Sequence, residues 1–130
     1  MIRLIRYIDD IPPAIKSEAR TSRLVLSGSD VRCTVLVTDL GANGGRNSLH
    51  GHTVDEIIHI VTGKGYAKVG NETVNIKDGS VLYVKANVIH QQVNEASEPM
   101  RMFCVFVPSL SDSELATIFT THHENEGGNK

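Results

Sequence analysis

The sequence predicts an all-β domain, an antiparallel sandwich or barrel followed by one short C-terminal helix. Three observations carry this. Short runs rich in Val, Ile and Thr recur through most of the chain, Gly-rich turns separate them, and after Pro108 the pattern becomes that of a helix.

Residues 1–8 can form a first strand, closed by Asp9-Asp10-Ile11-Pro12-Pro13, a cluster that breaks any regular element. Candidate strands then follow at residues 23–26, 31–39, 50–52, 56–62, 65–69, 72–76, 81–84, 90–94 and 101–107. Breaks fall at Gly41-Ala42-Asn43-Gly44-Gly45, Thr62-Gly63-Lys64-Gly65, Gly70-Asn71 and Lys77-Asp78-Gly79. Ser111-Asp112-Ser113-Glu114 fits a helix-capping box, and Leu115, Ile118 and Phe119 supply an apolar stripe. A helix at about 111–121 is expected, with a frayed polar tail at 123–130. Residues 1–130 read as one domain with its core at 31–107.

Thirteen basic against fifteen acidic residues leave a formal charge of −2, which provides no electrostatic footprint for nucleic acid or an anionic membrane. A small-molecule partner is expected instead. No apolar run approaches the ~20 residues of a membrane span. The opening residues alternate charged with apolar side chains, unlike a signal peptide, so a cytoplasmic location is expected. Cys33 and Cys104 sit in apolar strand-like runs, where packed, reduced thiols are the expected state.

The chemistry concentrates at His50, His52, Glu56 and His90. Side chains alternate along a strand, so His50 and His52 can face one point and place two imidazoles on one metal. Glu56 keeps the same parity and can add a carboxylate. His59 has the opposite parity and is excluded. His90 is the remaining histidine in a strand-like region, and it brings a ligand from another strand; His122 and His123, adjacent on the tail, do not converge. Three imidazoles and one carboxylate suit Fe(II), Mn, Co, Ni or Zn and leave two positions of an octahedron open. By the same parity, Ile58, Ile60 and Thr62 should line the interior beside Glu56, and Val88, Gln92 and Asn94 should share a face with His90. Gln92 is a candidate to hydrogen-bond a bound ligand. The faces of Tyr66, Tyr83, Arg101 and Cys104 are not fixed by the pattern.

Gly44, then five residues to His50, one to His52, three to Glu56 and six to Gly63 resembles the first motif of the cupin superfamily. The second motif is similar at Gly79, His90 and Asn94, with Lys85 where the family has Pro and Asn87 where it has Gly. Asn tolerates positive φ better than most residues, so Asn87 can make that turn. The resemblance implies a small single-domain cupin. Its fold would be a double-stranded β-helix, or jelly-roll barrel, with one divalent transition metal held by His50, His52, Glu56 and His90.

The fold hosts many chemistries. The favoured expectation is a metal-dependent enzyme, a non-haem dioxygenase acting on a small polar metabolite, with Glu56 and Gln92 as its catalytic residues. The alternatives are a redox-neutral isomerase, epimerase or lyase with a Lewis-acid metal, and a non-catalytic cupin that binds a small ligand. Absence of Trp weighs against a sugar-stacking site, and Glu56 weighs against a cysteine dioxygenase. The strand at 56–62 carries Ile57 and Val61 on its outer face, which needs a cover. Small cupins are commonly homodimers through such a face, and a homodimer is expected.

Overall fold

The structure, a computed structural model, describes residues 5–128, with side chains described through residue 120. The order of elements is β1 (Ile15–Lys16), β2 (Arg20–Leu26), β3 (Thr34–Leu40), β4 (Asp55–Thr62), β5 (Lys64–Val69), β6 (Glu72–Lys77), β7 (Val81–Val84), β8 (His90–Asn94), β9 (Met100–Val107) and α1 (Asp112–Gly128). The strands form a six-stranded sheet, β1-β2-β3-β9-β4-β7, and a three-stranded sheet, β6-β5-β8. Every pairing is antiparallel. The two sheets face one another as a double-stranded β-helix, and the chain passes from one sheet to the other between β4 and β5, β6 and β7, β7 and β8, and β8 and β9.

The alternation in β9 shows how sequence sets the layers. Met100, Met102, Cys104 and Phe106 are buried, while the residues between them are not. They meet Ile58 and Ile60 of β4, Leu36 and Leu40 of β3, and Leu115 and Ile118 of α1 in one apolar cluster. Burying these side chains is the main term holding the sheets together.

Several expectations need correction. Ile8–Asp10 is a single 3-10 turn, so the opening strand is not formed over its described residues, and residues 1–4 of that segment lie outside the described residues. The Pro12-Pro13 pair is followed at once by the unforeseen short strand β1, which pairs Ile15 with Ser22. Residues 50–52 are not a strand: His50 makes one isolated bridge to His90. Thr62 does not line the interior. A register irregularity between Ile60 and Thr62 breaks the alternation, and Thr62 is exposed. The helix does not stop near residue 121 but continues to Gly128, through most of the expected tail. Side chains of His122 and His123 lie outside the described residues.

The capping box forms by half. Ser111 Oγ accepts from the Glu114 amide at 3.1 Å. The Glu114 carboxylate, instead of returning to residue 111, reaches across to the Thr53 amide at 2.9 Å and also accepts from the Thr53 hydroxyl. That contact fixes α1 beside the loop that carries His52.

Candidate metal centre

Two polypeptide stretches converge. The loop before β4 carries His50 and His52, and β8 begins at His90. The backbones of His50 and His90 exchange hydrogen bonds of 3.2 and 3.1 Å, so these residues are held side by side. The Asn87 amide donates to the His52 carbonyl at 2.6 Å, and Asn87 adopts φ 68°, the positive value its place in the turn requires.

Ligand-capable atoms of His52, Glu56 and His90 lie within 4.8 Å of one another, and all three residues are buried. His90 Nε2 stands 2.9 Å from Glu56 Oε1, and His52 Nε2 stands 3.5 Å from the same oxygen. The His50 ring lies edge-on to that of His52, with centroids 4.5 Å apart, and 6.0 Å from that of His90. The structure therefore brings His52, Glu56 and His90 together as one group, with the His50 ring on the same cavity wall but outside that group. His59 is exposed on the outer face of β4.

The donor set suits a metal ion. His50 Nδ1 pairs with the Ser48 carbonyl at 3.1 Å and His90 Nδ1 with the Val88 carbonyl at 2.9 Å, contacts that orient each ring and leave Nε2 as the inner nitrogen. His50 Nε2 is buried with no hydrogen-bond partner among the described residues. A buried polar atom without a partner is costly, and a cation shared with the neighbouring imidazoles would satisfy it. Burial, followed by the His90 charge, lowers the His50 pKa to about 4. Burial, followed by the charges of His50 and His90, lowers that of His52 to about 3. Both rings are thus neutral at pH 7, the form a metal needs. Burial also works against protonation of His90, but its hydrogen bond to Glu56 and the carboxylate charge outweigh that, and its pKa is raised.

These groups line a cavity of about 30 Å³. Its wall also contains Phe106, Met102, Ile118 of α1, and the buried Cys104. Burial first, then the Glu56 charge, pushes the Cys104 thiol well above its ordinary pKa, so it stays a neutral packed thiol. Cys33 and Cys104 are unpaired. Arg101 faces outward, bonded to Asp39 and Asp9, and Tyr83 is exposed and donates to Asp55. Tyr66 is half-buried.

Gln92 is buried in β8 but is not part of the cavity wall. Its Oε1 accepts from Asn47 Nδ2 at 2.8 Å, and its backbone N–H donates to Asn47 Oδ1 at 2.7 Å; Asn47 does line the cavity. Asn94 donates to the carbonyls of Leu40, Gly41 and Glu98 and ties loops together. Sequence reasoning missed Arg20, Ser22 and Thr38, which also line the cavity. The signal was present in part, because Arg20, Ser22, Leu24 and Leu26 share a parity that places a charged residue on the inner face of β2.

The sequence profile of the cupin domain matches residues 37–106. An uncharacterized protein of Streptomyces coelicolor is 38% identical over 68 residues, 52% of this chain and 64% of that one. Another, from Methanocaldococcus jannaschii, is 29% identical over 72 residues, 55% of this chain and 58% of that one. The match therefore spans about three-fifths of the length of these curated relatives. Among solved structures, ectoine synthase from P. lautus superposes with a TM-score of 0.72 at 23% identity, covering 88% of this chain and 85% of that one. A predicted oxalate decarboxylase from Thermotoga maritima gives 0.72 at 20% identity, covering 81% and 99%. At these identities the likeness is one of fold. No helix among the described residues is long and apolar enough to cross a membrane.

Proposed function

The chain belongs to the cupin family, and from that premise we propose that it is a metal-dependent enzyme acting on a small polar metabolite, with non-haem dioxygenase chemistry the favoured reaction. One observation carries the metal: His50 Nε2, buried and without a partner, beside the His52, Glu56 and His90 group. His50, His52, Glu56 and His90 would hold the ion. When bound, it would supply Lewis acidity and, in a redox-active form, electrons for dioxygen.

The chain's own residues do the rest. Glu56 places a negative charge at the centre and accepts from His90. The Ser48 and Val88 carbonyls hold the orientation of two rings. Phe106, Met102 and Ile118 restrict water. Gln92 acts through Asn47, which it grips from two atoms and holds at the cavity wall.

The test is elemental analysis after loading with Fe(II), Mn, Co, Ni or Zn, followed by oxygen uptake with a panel of 2-oxo and 2-hydroxy acids. One equivalent of metal and substrate-dependent oxygen consumption by the Fe(II) form are expected. Turnover without oxygen consumption would replace the dioxygenase with a redox-neutral isomerase, epimerase or lyase. Bound ligand without turnover would leave a non-catalytic binding cupin.

Assembly follows from the outer face of the larger sheet. Val105, Ile57 and Tyr83 lie in one register row and Phe103, His59 and Val81 in the next. Val81 is 66% exposed and Tyr83 59%. An exposed apolar face calls for a cover, and we propose that its occupant is a second copy of the chain, related by a two-fold axis. Sedimentation should give a dimer at micromolar concentration and a monomer for Val81→Lys; a monomeric unmodified protein would overturn this.

A further inference from the structure

The outer nitrogens of the three imidazoles do not meet the same kind of group. His50 Nδ1 and His90 Nδ1 each face a main-chain carbonyl two residues back, of Ser48 and Val88. These acceptors are neutral and move with the segment that carries the ring. For His52 the facing group is instead the Glu114 carboxylate of α1, whose Oε2 stands 4.0 Å from Nδ1. At that distance the contact is one of charge and not a hydrogen bond.

Glu114 is itself firmly held. Its two oxygens accept from the backbone N–H and the hydroxyl of Thr53, the residue after His52, and its side chain is only 17% exposed. Leu115, its neighbour in α1, is buried in the core, and Ile118, one turn further on, reaches the cavity wall. Among the described residues, the ion contact of this carboxylate is to His52 and not to a Lys or Arg. A divalent ion held by three neutral imidazoles and the Glu56 carboxylate leaves a net positive charge on the ligand group, and Glu114 adds a second carboxylate one imidazole away. Once Nε2 of a neutral histidine binds a cation, its proton must sit on Nδ1, and that N–H becomes a stronger donor. Attraction to the facing carboxylate therefore grows with metal binding. The charge of Glu114 is felt further in as well: burial lowers the His50 pKa, and Glu114 works against that shift.

We propose that Glu114 is a positioning residue for His52 and that it couples metal binding to the docking of α1. This rests on the metal-dependent reading above. It adds a form of regulation to that site, through a residue outside the motifs that carry the ligands. With the helix docked, a carboxylate lies against the outer nitrogen of His52, and a cation on the inner nitrogen strengthens that contact. Linkage makes the effect reciprocal: the factor by which the ion favours docking is the factor by which docking favours the ion. Because Ile118 belongs to the cavity wall, a more firmly docked α1 also closes the cavity better around a loaded centre.

The test is calorimetric titration of the metal-free protein with Co(II), together with hydrogen exchange of α1 amides with and without Co(II). In the unmodified protein, amides of residues 115–120 should exchange at least about fivefold more slowly when Co(II) is bound. Glu114→Gln keeps the shape and an acceptor for Thr53 but loses the charge. It should weaken Co(II) binding by roughly 10- to 100-fold, shift the visible bands of bound Co(II), and reduce the exchange difference to less than about twofold. Asp112→Asn removes an exposed carboxylate from the same first turn of α1 and should leave Co(II) affinity within about threefold, which separates the contact with His52 from a general effect on the helix N-terminus. Should Glu114→Gln not fold, the exchange comparison on the unmodified protein still decides. Co(II) bound equally well by Glu114→Gln, or α1 exchange in the unmodified protein that is the same with and without Co(II), would overturn the proposal while sparing the metal site. Failure of Co(II) to bind at all would overturn both.

Discussion

Replacing His52 by alanine is expected to give a folded protein that no longer retains a stoichiometric metal ion. His52 lies buried in the group whose ligand atoms fall within 4.8 Å, and its ring also packs edge-on against Phe106 at 4.9 Å. Loss of even an outer-sphere partner of a metal ligand costs roughly 10- to 100-fold in affinity, so loss of a ligand should cost at least about a hundredfold. Elemental analysis after dialysis reads this directly, and a full equivalent retained by the variant would remove His52 from the site. The same variant has a second signature, in acid. The His52 pKa is lowered to about 3 in the folded chain, so between the unfolded value near 6.5 and pH 3 the unfolded state binds the extra proton. Stability of the metal-free protein should therefore fall as pH drops below about 6.5. His50, lowered to about 4, acts in the same direction. His90, raised, contributes in the opposite sense: its stabilisation is complete below the unfolded value and fades as pH rises through the folded one. Removing His52 should lessen the loss between pH 7 and pH 5 by roughly 2 kcal/mol, measured by urea unfolding of metal-free samples. An unchanged pH slope would contradict the assignment of a neutral buried ring.

Gly65→Ala is expected to be the most damaging of the conservative glycine substitutions. A Cβ at this position would stand 1.9 Å from the Val93 carbonyl oxygen and 3.0 Å from its carbon, both backbone atoms of β8. β8 cannot yield cheaply. Its residues are buried on both faces, and it pairs with β5 from Gly65↔Asn94 to Val69↔His90. Relief of the clash must either separate the strands or shift the strand that begins with His90. Overpacking costs typically 1–3 kcal/mol where side chains can adjust, and here the obstacle is main chain, so a loss of about 3 kcal/mol or more is expected. Gly79 is the comparison: it has φ 85° but nothing within 4 Å of its would-be Cβ. Its alanine variant should lose only the ~1–2 kcal/mol of a strained left-handed residue. Equal unfolding midpoints for the two variants would show that β8 is more yielding than its burial implies.

The ligand loop was readable from sequence because its information is local. His50, His52 and Glu56 lie within seven residues, and a period-two reading groups them without knowledge of the rest of the chain, even though residues 50–52 form a loop with one isolated bridge and not the strand that reading assumes. Inward Ile58 and Ile60 follow from the same rule, and the rule fails at Thr62, where the strand loses register with β9. Period two also placed Gln92 correctly in the interior, but which interior partner it meets depends on Asn47, 45 residues away. Arg20, and the reach of Glu114 to the ligand loop beyond its place in the capping box, were missed for a related reason. Each is an ordinary charged residue in its own segment, and only the closure of β2 and α1 over the site gives it meaning.

The bond between Glu114 and Thr53 bears on how this protein could be engineered. Thr53 directly follows His52, and α1 also sends Ile118 into the cavity wall, so load applied to the helix has a short mechanical route to the ligand loop. A reporter or tag joined after α1 pulls on that route, whereas one placed at the exposed β6 to β7 turn, around Asp78 and Gly79, pulls on a connection between the two sheets whose residues do not line the cavity. The first junction suits a sensor whose output must follow cavity occupancy. The second suits an immobilised protein that must behave as the free one does.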